Sequence, residues 1–172
     1  MAETKFGYVE HGFGQVEPNH LSAQRTSQIY AQLPMGVDML ENGQFAKYNY
    51  EAGKVDFAGD GEWMLVYNAV KVYDEDEDAA DYVMIKPEEG TKGTPVIGVS
   101  TDVVPRLLKT NVGDIFTTNA IKVIAPAVGG VLAPDAEGCL DTATENATMK
   151  WQIVKVYTMP DGQKGVKIMR IA

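Results

Sequence analysis

Thiols and imidazoles are scarce in this chain: one cysteine, Cys139, and two histidines, His11 and His20, among 172 residues. A lone cysteine forms neither an internal disulfide nor a thiolate metal cluster, so neither staples the fold. A reducing compartment at assembly is compatible with that count. Both histidines fall in the glycine-rich opening stretch FGYVEHGFGQVEPNH, away from any rigid scaffold that could present the base of a hydrolytic triad. A metal site on His11 and His20 would need a third ligand, for which Glu10 and Glu17 are nearest. Surface or interface histidines and a buried, inert thiol are the simpler readings. No apolar run approaches the roughly 20 residues of a membrane span. The start, MAETKFGYVEHGFGQVEPNH, lacks the basic and apolar regions of a signal peptide, which points to a soluble protein made in the cytoplasm. Gly12-Phe13-Gly14 is not a phosphate loop, since it neither follows a strand nor leads to a Lys-Ser/Thr pair. Clustered basic residues are missing too. They are scattered, with Arg106 and Lys109 the nearest to a pair, and the net charge of −9 argues against binding nucleic acid. The sequence carries no enzyme signature and calls for no cofactor.

Acid, by contrast, is concentrated. VYDEDEDAADYV sets five consecutive carboxylates, residues 74–78, between apolar runs. With Asp74 at the first place of a calcium-binding loop, Asp76 and Asp78 fall on ligand places. The glycine place is then Ala79 and the bidentate glutamate place is Ile85, so the second half of the motif fails. A solvated loop that keeps its flanking strands soluble and blunts edge pairing is the expected role. Calcium there would raise thermal stability only.

With 45% hydrophobic residues, the chain is long enough for one domain with a core of its own. Two textures divide it. Residues 1–36 are broken by Gly7, Gly12, Gly14, Pro18 and Pro34 and read as an extended arm. A short helix over 20–32, capped by Asn19, is expected within it, on a thin stripe of Leu21, Ile29 and Leu33. Phe6, Tyr8, Phe13 and Tyr30 are costly residues for a mere tail, so the arm is read as ordering against a partner. Residues 37–172 read as β structure. Asn42-Gly43 and Asp60-Gly61 are hairpin-type turn signals. Strands are expected at 44–50, 54–58, 63–73, 115–124, around Val131, at 139–142 and in two C-terminal runs joined by MPDGQK, with further short strands after the acidic loop and in TPVIGVSTDVV. The run WMLVYNAVKVY is apolar on both faces and so predicts a central strand covered on both sides, with Asn68 in need of hydrogen-bond partners. The count gives an all-β fold, a compact barrel or sandwich of roughly eight to ten short strands. Tyr48, Tyr50 and Tyr73 are the candidate contact aromatics, and Tyr67 a core residue.

The order of segments LENGQFAKYNYEAGKV, GEWMLVYNAVKVYD, KTNVGDIFTTNAIKV and WQIVKVYTMPDGQKGVKIMRI resembles the capsid decoration (cement) and head-fibre-base proteins of tailed bacteriophages. The resemblance covers residues 37–172 in style and carries over no individual functional residue. It implies a non-enzymatic virion protein on the capsid surface, with the major capsid protein as partner. It further implies a homo-oligomer, commonly a trimer at local three-fold positions, and a terminal arm that reaches neighbouring subunits. The alternative is a carbohydrate-binding or fibre/tail adhesion module using Trp63 or Trp151 as a stacking platform.

Overall fold

The computed structural model describes residues 14–37, 40–68, 104–159 and 164–172. The fold is all-β. Its elements run β1 (Val16–His20), α1 (Ser22–Thr26), β2 (Ile29–Tyr30), β3 (Phe45–Asn49), β4 (Lys54–Asp56), β5 (Met64–Val66), β6 (Leu107–Leu108), β7 (Ile115–Thr118), β8 (Val131–Pro134), β9 (Leu140–Thr142), β10 (Trp151–Thr158) and β11 (Lys164–Arg170). They form a six-stranded sheet, β1-β7-β11-β10-β8-β9, and a five-stranded sheet, β2-β6-β5-β3-β4. All pairings between these strands are antiparallel.

The two sheets differ in how they are covered, and the sequence says why. In the six-stranded sheet apolar and polar residues alternate. Phe116, Ile153, Val166 and Ile168 enter the main core, while Thr117, Lys155 and Lys167 hold the intervening places. In the five-stranded sheet both faces are apolar. Phe45, Leu65 and Leu108 join that same core, and Ala46, Tyr48, Met64, Val66 and Leu107 form a second cluster with Met35, Leu40 and Val55. Of the expected central strand 63–73, residues 63–68 are described, and of these Met64–Val66 form a strand, the middle one of its sheet and buried throughout. At the heart of the main core Trp151 packs against Phe116 and Phe45, with ring centroids 5.0 and 5.7 Å away. Its buried indole N–H has no hydrogen-bond partner among the described residues.

Local chemistry sets the joints. Gly138 takes φ 72° in the turn between β8 and β9, and a Cβ there would fall 1.8 Å from the carbonyl oxygen of Phe45. That close approach lets the Phe45 N–H donate to the Gly138 carbonyl at 2.7 Å, tying one sheet to the other. Asn42 and Gly43 do form a turn, yet no hairpin follows from it. The true β3–β4 hairpin turns at residues 50–53, through Gly53 at φ 65°. Asn42 instead uses its side-chain amide as a piece of strand, accepting from the Asn68 N–H at 2.8 Å and donating to the Asn68 carbonyl at 3.1 Å. Asn68 repeats the device on Arg106, accepting from its N–H at 2.9 Å and donating to its carbonyl at 3.4 Å. The amide that the apolar run could not satisfy is thereby paired.

The residues read from sequence as the later part of the arm lie in the sheets. Val16–His20 is an edge strand on β7, and Ile29–Tyr30 is an edge strand on β6. Among the described residues helix is confined to the five residues of α1, shorter than the stretch 20–32, because Ser27 turns into the left-handed region at φ 59° and the chain then joins the sheet. Asn19 does not cap α1. Its side-chain carbonyl accepts from the Thr117 hydroxyl, and the N-cap position is Leu21.

Candidate interaction surfaces

Three surfaces emerge once the fold is in place. The first is the root of the N-terminal segment. The strand β7 reads IFTT and is followed by Asn119, and these polar groups reach back about a hundred residues in sequence. Asn119 Oδ1 accepts from the Gln15 N–H at 2.7 Å, and the Thr118 hydroxyl donates to the Gln15 carbonyl at 2.6 Å. The Gly14 N–H donates to the buried Glu41 carboxylate at 3.1 Å. Further on, buried Asp114 accepts from the Ser22 N–H at 3.1 Å, the Ser22 hydroxyl at 2.8 Å and the Asn111 N–H at 3.0 Å. A carboxylate with three donors is well satisfied, which is what makes its burial tolerable. Glu17, on β1, accepts from the Tyr157 hydroxyl at 2.6 Å. Burial, and then that carboxylate, push the Tyr157 phenol above its ordinary value.

The second surface is a row of tyrosines. Tyr30, half-buried, meets Tyr48 edge-on at 5.6 Å, and Tyr48 meets Tyr50 edge-on at 5.7 Å. Tyr48 is only 3% exposed, and its hydroxyl accepts from the Gln32 N–H. Tyr50, at the hairpin tip, is 75% exposed, so of the two tyrosines of this hairpin only Tyr50 offers its ring to a partner. Phe6, Tyr8, Phe13, Tyr73, His11, Glu10 and the acidic stretch 74–78 lie outside the described residues, as do the strands expected between 69 and 103. Tyr67 is half-buried against the main core.

The remaining residues singled out by sequence separate cleanly. Trp151 is fully buried and stacks within the core, so it is not a platform for a ligand. Trp63 is half-buried with the Lys47 ammonium 4.5 Å over its ring, and both line a cleft of about 160 Å³ with Glu62, Met149 and Arg170. That volume is below the roughly 300 Å³ at which small-molecule sites usually begin. His20 is exposed at the end of β1, and Glu17 is already engaged by Tyr157. Among the described residues no group of three His, Cys, Asp or Glu is placed to hold a metal ion. Cys139 is buried, with its sulfur 3.6 Å from the Gln44 amide nitrogen.

Sequence reasoning passed over the third surface, which combines a loop with a hairpin. Residues 124–130, IAPAVGG, contain no polar side chain, and Ile124 and Val128 are 78% and 68% exposed. The loop starts beside Lys122, whose ammonium bonds the Asp135 carboxylate at 2.5 Å, a contact that holds the lysine charged to higher pH than usual. It ends by pairing with β10, the Gly129 N–H donating to the Ile153 carbonyl and the Ile153 N–H to the Gly130 carbonyl, each at 2.8 Å. Past that point β10 continues without β8, whose pairing with β10 is confined to Trp151 and Gln152. Val154 is the extra residue of a bulge, and residues 154–156 are all exposed. Residues 149–172 carry five of the chain's 15 basic residues, Lys150, Lys155, Lys164, Lys167 and Arg170, and one of its 24 acidic ones, Asp161. This segment is therefore basic on an acidic protein, a signal that segment-by-segment charge counting would have found.

No family model, no curated protein and no solved structure matches this chain.

Proposed function

We propose that the chain is a non-enzymatic structural protein of a virion that binds the outside of a tailed-phage capsid and stabilises or decorates it. The resemblance of its segment order supports this reading, and so does the all-β domain. The observation that carries it furthest is the root at residues 14–22. A segment that grips a shell must pass load into its own domain, and here Gly14, Gln15, Asn19 and Ser22 are each bonded to side chains of the folded body. Phe6, Tyr8 and Phe13 precede that root in the sequence and are the adhesive residues of this proposal. Tyr50 adds an exposed aromatic ring of the amphipathic kind enriched at interfaces.

The test is co-sedimentation with capsids lacking this protein, comparing the full chain with one lacking residues 1–13. The cut stops before Gly14, because removing Val16–His20 would strip a strand from β7. Saturable binding by the full chain and its loss in the shortened one is the expected result. Equal binding by both would refute the role of the arm. Binding by neither would refute the capsid reading.

A further inference from the structure

The edges of the two sheets are blunted in four different ways. The outer side of β4 is covered by residues 34–36, through the Gly36 N–H to the Val55 carbonyl and the Val55 N–H to the Pro34 carbonyl, each at 2.8 Å. The outer side of β9 is covered at Leu140, whose carbonyl accepts from the Lys122 N–H. On β1, Pro18 removes a donor and the register shifts before His20. The edge strand β2 is two residues long. These are the usual protections against strand addition. Residues 154–158 of β10 are the exception. Among the described residues they have β11 on one side and no strand on the other.

Two charges decide what fits there. Lys155 stands directly opposite Lys167 in the β10–β11 ladder, and neither has a carboxylate partner among the described residues. Like charges facing across a ladder are unfavourable. The nearest carboxylate in that row, Glu17 opposite Thr117, bonds to the Tyr157 hydroxyl instead. A second copy of the same edge would bring more lysines to this place and is disfavoured. An incoming strand carrying carboxylates would neutralise Lys155 and Lys167. The next place along, Val156, pairs with buried Val166 yet is itself exposed, and calls for an apolar neighbour. The exposed apolar loop 124–130, already paired to Ile153, continues the same edge and extends its apolar surface.

We propose that residues 154–158, continued by the loop 124–130, are a docking edge for an extended segment of a partner protein in which acidic and apolar residues alternate. The main-chain ladder supplies affinity and the lysine pair supplies selectivity. The inference stands apart from the capsid reading, since any protein could carry such a segment.

The experiment is a titration of the full, isotope-labelled chain with a short peptide of alternating glutamate and valine, followed residue by residue through amide shifts and hydrogen exchange. The expected result is saturable binding with slowed exchange at residues 154–158, weakened roughly tenfold by Lys155→Glu and by added salt. The exposed Lys164→Glu should weaken it to a smaller degree, and both variants should keep the unbound spectrum elsewhere. A peptide of alternating lysine and valine should bind the unaltered chain far less. Equal binding of the two peptides, protection at another place, or no binding would overturn the proposal. Concentration-dependent protection of residues 154–158 without peptide would also overturn it, by showing that a second copy covers the edge.

Discussion

The N-terminal segment and the C-terminal hairpin belong to the same sheet, yet they are held by different physics. Strand β1 lies at the edge, pairs with β7 alone among the described strands, and is fixed at its ends by hydrogen bonds from side chains at Gln15, Asn19 and Ser22. The hairpin β10–β11 sits inside the sheet and buries Trp151, Ile153, Val166 and Ile168. Burial is non-directional and large, about 25 cal/mol per Å² of apolar surface. Hydrogen bonds are directional and individually small, near 1 kcal/mol net. The hairpin therefore determines whether the domain exists, and the polar root determines where the N-terminal segment leaves it.

That contrast is easiest to break at Trp151. Trp151→Ala should cost about 3–5 kcal/mol in chemical denaturation, because it opens a cavity between the two sheets. Trp151→Phe should lose much less, since it keeps an aromatic body and removes a buried N–H that has no partner among the described residues. Next comes Asp114→Ala, which leaves two backbone N–H groups and a hydroxyl without their acceptor. About 2 kcal/mol is expected, with faster amide exchange concentrated at Ser22 and β1 while β10 and β11 stay protected. A uniform loss of protection across both regions would show that root and hairpin are one cooperative unit.

The smallest effect sharpens the comparison, because it touches the bond that joins the two regions. Tyr157→Phe removes the hydroxyl that donates to Glu17 and should cost no more than about 1 kcal/mol at neutral pH. Its signature is in alkali. The folded phenol holds its proton above the ordinary value of 10.0, so the stability it contributes is complete below that value. It is lost as pH rises through the folded-state value. The denaturation midpoint of the unaltered protein should therefore fall more steeply above about pH 10 than that of Tyr157→Phe. Parallel curves would mean that Glu17 and Tyr157 are not coupled in solution.

How much of this was legible depended on the distance over which each residue acts. Alternation in MKWQIVKVYT and GVKIMRIA placed the final two strands to within two residues at each end, Trp151–Thr158 and Lys164–Arg170, and missed the bulge at Val154. The two-faced apolar run at Trp63 announced a central strand, and Met64–Val66 is one. Strand β1 was not legible, because Pro18 argues against a strand until one knows that it lies at an edge, where a missing donor is tolerated. Asn42 and Gly43 misled for the opposite reason. The pair turns the chain as its chemistry requires, but Gly43 serves a packing need, since a Cβ there would meet Ala120 at 2.6 Å. The polar root was hidden altogether, as Thr117, Thr118 and Asn119 find their partners about a hundred residues away. Tyr48 and Tyr50 look alike in sequence, and only the burial of one against Tyr30 tells them apart.

The paired amides of Asn42 and Asn68 have a consequence for how this chain tolerates change. Each amide donates and accepts at once, Asn42 on the main chain of Asn68 and Asn68 on that of Arg106. A carboxylate of the same shape only accepts. Asn42→Asp or Asn68→Asp would therefore set an oxygen against a carbonyl oxygen and lose one hydrogen bond of each pair. Deamidation, a change that leaves the side chain its size, would open this corner of the fold.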